Sequence, residues 1–295
     1  ASSFYLSQLS EARTHFEQGN LLYDPQQHHA LAFRYGHFDP GVVFLLYGGW
    51  TLWVLGYPDQ ALAWGNDGLS LAHNLGHPYT LARGLYWNTV LHQFRREWQI
   101  VQQRAEAAIL VAAEHQIALV SALGPIMRGW ALAMQGQGAE ELLQIRQGID
   151  DYRATGAEFQ RPQFLAMLAE VYATVGRPEE ALPLITEALS LVEKMGEHYY
   201  EAELLRLKGL LLLAQSPDNH PEAETCYQNA LDIARQQQAK SWELRTATSL
   251  ARLWQQQDKR QDAYDLLAPV YEWFTEGFDT ADLQEAKALL QELEG

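Results

Sequence analysis

Along nearly the whole chain, apolar residues return at intervals of three and four, the spacing of one face of an α-helix. Residues 281–294 show it most simply. Leu283, Ala286, Leu289, Leu290 and Leu293 share one side of an otherwise acidic helix, a pattern that suits a cap on a stack of helices. The same spacing predicts a helix over 8–23, with Leu9, Ala12, Phe16 and Gly19 on one side. Helices then come in pairs: 42–55 with 58–75, 78–94 with 98–114, 117–134 with 139–154, 161–175 with 178–195, 199–214 with 221–237, and 242–256 with 261–274. Gly56-Tyr57, Gly136-Gln137-Gly138 and the longer Ser216-Pro217-Asp218-Asn219 mark turns. Residues 24–40, rich in His, Gln, Pro and Gly, form the longest irregular candidate, with Ala30-Leu31-Ala32-Phe33 suited to a short helix.

The junction around Gly176 defines the unit. Gly176 supplies the permissive backbone just past a helix, Pro178 suits the first turn of the next, and Glu179-Glu180 favour a helix N-terminus. Ala181 and Ala188, seven apart, present small side chains on one face, where a neighbouring helix approaches closely. The small or apolar residue early in each second helix falls at Ala61, Val101, Leu142, Ala181, Ala223 and Ala263, at separations of 40, 41, 39, 42 and 40. Six units that agree on spacing specify an array of helical hairpins.

The register resembles the tetratricopeptide repeat. Leu168, Ala169, Tyr172, Gly176, Ala181 and Ala188-Leu189 match one unit; Gly49, Gly56 and Ala61 match an earlier one, and Gly209, Ala223, Tyr227 and Ala230 a later one. The pair at 117–154 matches least. Over nearly its whole length the chain resembles the C-terminal tetratricopeptide regions of bacterial STAND-type signal-transduction ATPases. That likeness rests on Leu55-Gly56-Tyr57-Pro58-Asp59-Gln60-Ala61, on Ala239-Lys240-Ser241-Trp242-Glu243-Leu244-Arg245, and most specifically on Phe274-Thr275-Glu276-Gly277-Phe278-Asp279-Thr280. The resemblance implies an all-α, right-handed superhelical solenoid of about six hairpins. It has a partial repeat and connecting segment over 1–40, hairpins over 41–278 and a cap helix over 279–295. It implies a fragment of a longer bacterial protein, a non-enzymatic arm that binds a partner and controls an effector domain. No Gly-x-x-x-x-Gly-Lys-Ser/Thr loop appears in the sequence, so ATP hydrolysis is not expected of this chain.

Composition narrows the partners. Of 295 residues 47% are hydrophobic, enough for a continuous core, and the formal net charge of -16 argues against a nucleic-acid backbone or an anionic membrane. A single cysteine, Cys226, excludes an internal disulfide framework and a thiolate zinc site and fits a reducing compartment. No signal peptide is legible at the start, and a cytoplasmic location is the expectation. Residues 41–57 carry no charge, yet they are short for a membrane span and contain Gly48-Gly49; a helix buried among helices is the expectation.

Chemistry is sparse. Cys226 on a second helix reads as a small buried residue. His28-His29 and His37 lack a carboxylate or cysteine at ligand spacing, so neither a metal nor another cofactor is expected. Glu140-Glu141 and Asp150-Asp151 read as solvated faces, and no Gly-x-Ser-x-Gly element or zinc-protease helix occurs.

The resemblance places the inward positions of the first helices on a concave groove. Carried over, it gives Tyr47, Trp50 and Trp53; Arg83, Tyr86, Trp87 and Phe94; Met127 and Arg128; Met167 and Glu170; Glu203, Arg206 and Leu210; and Arg245, Arg252 and Gln256. As groove residues these suit an extended or helical peptide, with aromatic anchors and an arginine-bound carboxylate. As structural residues, the rings pack against the next hairpin, and Glu170–Arg206 or Glu203–Arg245 pair across helices. Arg83 and Arg128 have no obvious acid opposite them in this register. A groove role for Trp87 implies that truncating it weakens binding by about 1–3 kcal/mol while melting barely changes. A small anionic ligand in a closed pocket, or self-association of the arm, are the other functions compatible with this pattern.

Overall fold

In a computed structural model, residues 1–32 and 38–295 are described, with backbone only for Leu31, Gly138 and Ala139. Sixteen α-helices and no strand occur among them. They are α1 (Ser2–Tyr5), α2 (Leu9–Leu22), α3 (Pro25–His28), α4 (Pro40–Val54), α5 (Pro58–Leu75), α6 (Pro78–Phe94), α7 (Trp98–Glu114) and α8 (Ala118–Leu132). There follow α9 (Gly138–Ala154), α10 (Arg161–Thr174), α11 (Pro178–Met195), α12 (Glu201–Gln215), α13 (His220–Gln236), α14 (Lys240–Gln256), α15 (Arg260–Glu272) and α16 (Ala281–Glu294). The expected helix pairs are present with ends within about two residues, the usual uncertainty of helix termini.

The segment expected to be irregular is partly helical. Asp24 accepts the Gln26 N–H at 2.9 Å and caps α3, which opens on Pro25, and His29–Leu31 continues as a 3-10 turn. Of the short helix suited to 30–33, Phe33 lies outside the described residues, as does His37.

A 20-residue beat underlies the 40-residue period. Gly56, Gly76, Arg96, Gln116, Gly136, Gly156, Gly176 and Gly196 each take positive φ, one after every helix from α4 to α11. A left-handed residue ends a helix and turns the chain back, so each helix and turn consume 20 positions. The beat slips at Ser216, where an extended residue and the turn Pro217–Asn219 replace it, and resumes at Gln238 and Asp258. Glycine marks only some of these turns. Arginine, glutamine and aspartate fill the rest, at the cost of Cβ crowding in that conformation.

All six positions of the sequence period are buried, four of them alanines with no exposed surface. Ala61 shows why: a Cβ on Gly49 would stand 3.0 Å from the Ala61 carbonyl, so α4 and α5 meet almost backbone to backbone. The uncharged α4 is buried nearly all round by other helices, and no described helix is long and apolar enough to cross a membrane.

The described residues form two compact units: residues 1–4, 10–53 and 59–159, and residues 5–9, 54–58 and 160–295. In the first, first helices α6 and α8 pack on each other as well as on second helix α7. In the second, α10, α12, α14 and α16 follow one another in the same way, with α11, α13 and α15 each packed against two of them. Each unit therefore carries its first helices side by side. Leu283, Ala286, Leu289 and Leu293 of α16 close the core of the second unit over Leu250, Leu253, Ala263 and Leu267. The three stretches that carried the family resemblance meet in that unit. Gly56 packs on Lys240, Trp273 and Phe274, Tyr57 lies 5.7 Å edge-on to Trp273, and Gly277 sits against Pro58 with no room for a Cβ.

Candidate functional site

In the first unit the expected groove aromatics belong to the core. Tyr47, Trp50, Trp53, Tyr86 and Trp87 are all buried. Tyr47 lies 4.6 Å from Trp50 and 5.4 Å from Trp87, Phe4 lies 5.9 Å from Trp50, and Trp53 stacks on Phe94 at 5.1 Å. Trp50 donates its indole N–H to the Trp87 carbonyl at 2.8 Å, tying α4 to α6. Large rings on facing first helices bury more area against one another than a groove exposes. The ring of Trp87 is 1% exposed, so truncating it is expected to open a core cavity and lower melting rather than to change binding alone.

The arginines diverge. Arg128 does have an acid: its Nε lies 3.4 Å from Glu106 on α7, and Nη1 donates to Gln144 on α9 at 3.0 Å, contrary to the sequence expectation. It thus reaches toward the flanking second helices. Arg83 has no ion pair among the described residues; its guanidinium lies 4.5 Å over the Trp87 ring and 5.6 Å from the Tyr86 ring. The Nε of Arg83 and the indole Nε1 of Trp87 are both buried without an acceptor among the described residues. Met127 is buried.

In the second unit charged groups bridge successive first helices. Glu203 on α12 accepts from Arg206 Nε at 2.6 Å and Nη2 at 2.7 Å, and Arg245 on α14 lies 3.4 Å from Glu203 and 2.8 Å from Asp282 on α16. Arg206 also donates to Ser249 at 3.4 Å. The expected Glu203–Arg245 pair is present; Asp282 was hidden in the cap helix. Burial alone would lower the Arg206 pKa, but Glu203, and then Glu170 on α10, more than reverse it. Met167 is buried, Glu170 half-buried, Leu210 and Arg252 exposed, and Arg252 has no ion pair among the described residues.

Several polar groups carried no sequence signal. Asp39 caps α4 through Gly41 and Val42, accepts from Tyr23 at 2.9 Å and meets His29 Nδ1 at 2.9 Å. A carboxylate does sit beside His29, although the sequence spacing offered none: it belongs to Asp39, ten positions further along the chain. His28 instead accepts the Asp24 N–H at 2.9 Å. Burial, and then Asp39, push the Tyr23 hydroxyl up. No three His, Cys, Asp or Glu side chains converge among the described residues. At the end of α6, Glu97 joins His92 and Arg95; burial opposes its ionisation, but these partners win and hold it below the usual range. Cys226 is buried, and burial pushes its thiol up, away from the reactive thiolate.

A tetratricopeptide repeat family model matches residues 165–199, covering most of α10, the Gly176 turn and α11. An uncharacterized protein of Rhizobium meliloti (strain 1021) is 23% identical over 253 residues, which are 86% of this chain and 24% of that protein. The chain thus spans about a quarter of that relative's length. Among solved structures, a Rap protein complexed with competence and sporulation factor superposes with a TM-score of 0.61 at 15% identity, over 97% of this chain and 80% of that one. The apo form of RapI superposes with a TM-score of 0.57 at 12% identity, over 85% and 84%. The fold is all-α and tetratricopeptide-like.

Proposed function

We propose that this chain is a non-enzymatic scaffold that holds a protein or peptide segment against its first helices. The observation that carries the reading is the side-by-side packing of first helices within each unit, with second helices packed between neighbouring ones. Side chains of consecutive hairpins thereby face one shared surface, the form that recognition of an extended or helical segment requires. In the second unit the largely buried ion pairs among Glu203, Arg206, Arg245 and Asp282 hold successive first helices against one another beneath that surface, which lowers the ordering cost of binding. The Rap protein with a bound factor supports the reading by analogy of fold. As the helical-repeat portion of a longer protein, the chain would serve as the sensor arm of a STAND-type bacterial ATPase. The sequence resemblance and the length of the Rhizobium relative support that placement.

The test is capture of a host partner by the immobilised chain, compared with an Arg83→Ala, Arg252→Ala double variant that melts like the parent. Partner affinity is expected to fall by about 1–3 kcal/mol. A partner held equally well by the double variant removes the first-helix surface from the reading.

A further inference from the structure

We propose that the Glu197 carboxyl is a proton-operated catch: protonated, it holds the seat on which residues 5–9 rest within the second unit, and ionised, it lets that seat open. The inference is independent of what the first helices hold. Tyr5 packs edge-on against Tyr199 at 5.4 Å, and a Cβ on Gly196 would stand 3.7 Å from Leu6 Cδ2. The short segment therefore lies on the turn between α11 and α12. Buried groups fasten that turn to the start of α10. Glu197 Oε2 accepts the Gln160 N–H at 2.9 Å, and Gln163 Oε1 accepts from the Tyr199 hydroxyl at 2.8 Å and from Gln160 Nε2 at 3.3 Å. Gln160, Gln163, Glu197 and Tyr199 are all buried.

Glu197 is the weak member of this network. It and Glu97 each follow a residue of positive φ, Gly196 and Arg96, and so enter their turns at the same place. Glu97 meets His92 and Arg95. No cation pairs with Glu197 among the described residues, and its Oε1 has no donor there. A buried carboxylate with one N–H bond and no cation is unfavourable, so the protonated acid is preferred. Burial pushes its pKa up to about 7, with the Gln160 bond opposing. The charged neighbours are engaged elsewhere. His198 on the same turn meets Glu201 at 2.8 Å, Arg161 at the start of α10 meets Glu187 at 3.4 Å, and Arg235 near the end of α13 meets Glu243 at 2.9 Å. Tyr200 faces Trp242 at 5.1 Å, while Glu193 and Lys194 on α11, and Glu158 ahead of Gln160, are exposed. Swinging Glu197 into water restores an ordinary carboxylate, breaks the Gln160 bond and shifts Tyr199 beneath Tyr5. Opening is therefore independent of pH below the ordinary carboxylate range. It rises about tenfold per pH unit above that range and levels off past about 7, where the closed turn is ionised too.

The experiment follows the full chain by NMR from about pH 5 to about pH 9, reading amide hydrogen exchange corrected for its intrinsic rate and the Leu6 methyl resonances. Protection of the Gln160 amide is expected to fall about tenfold per pH unit up to about pH 7 and then level, with the Leu6 methyls shifting over the same range. The Ala251 amide, buried in α14, is expected to keep its protection. Glu197→Gln, which keeps the acceptor and cannot ionise, is expected to flatten both responses, and His198→Gln to leave them in place. The catch is overturned if Glu197→Gln responds like the parent, or if His198→Gln flattens the response. It is overturned equally if the Leu6 methyls stay still, or if Ala251 loses protection in step with Gln160, which would make the event an unfolding of the whole unit. Should Glu197→Gln fail to fold, Glu197→Ala carries the same decision: Ala239 follows the positive-φ Gln238 at the same place in the next hairpin and is fully buried there.

Discussion

The carboxyl of Glu197, at the turn between α11 and α12, is 2% exposed. Its Oε2 accepts the Gln160 N–H at 2.9 Å, and its Oε1 meets no donor among the described residues. Burial pushes its pKa up to about 7, and the Gln160 bond offsets this only in part. The folded state therefore holds this proton more tightly than the unfolded chain. The contribution to stability is full below the unfolded carboxylate value and is lost as pH rises through about 7. Glu197→Gln keeps an acceptor for Gln160 without the charge; urea melts should show it more stable than the parent at about pH 8, by about 1–3 kcal/mol, and no more stable near pH 4. An equal difference at both values would remove Glu197 as the cause. Trp87 makes the opposite point about reading residues one at a time. Its spacing suited a groove, yet Trp87→Ala should lower folding stability by about 3–5 kcal/mol, measured by the same melts, because rings from α4 close over it. Periodicity tells which face of a helix a residue shares, but not whether another ring covers it.

At the scale of the element, the turns separate backbone demand from packing. A Cβ at Gly176 would meet nothing within 4 Å, so Gly176→Ala tests the left-handed conformation alone and should cost about 1 kcal/mol. Gln116 holds the same kind of position while exposed, and Gln116→Gly should stabilise by about 0.5–1 kcal/mol. Chemical denaturation of both variants reads the pair; a neutral result for each would mean that these turns are set by the helices they join. The glycines at 56, 136 and 176 announced their turns in the sequence. Arg96, Gln116, Gln238 and Asp258 did not, because a polar residue forced into positive φ looks like any other surface residue in one dimension. Asp24 is legible in principle, since an acid before proline is a helix start, but the loop-like composition around it hides that signal.

For the whole molecule, the formal charge of -16 sets a repulsive field that favours expansion. Raising monovalent salt from about 0.01 to about 0.15 M shortens the Debye length from about 30 to about 8 Å and should raise the melting temperature by a few degrees. A fall would mean that ion pairs such as Arg245–Asp282 outweigh the net repulsion. The sequence by itself determined the helical hairpins and their 40-residue period, because both follow from local conditions repeated along the chain: one apolar face, a small residue at each close approach, a break between helices. It also determined that the charge is acidic and that Arg83, Arg128, Arg206 and Arg245 fall on first helices. Only the tertiary structure decided which arginine has a carboxylate. Arg128 found Glu106, Arg245 found Asp282, and Arg83 found none among the described residues. That outcome depends on how far each side chain reaches across a neighbouring helix, and no spacing along one strand of sequence encodes a distance between two.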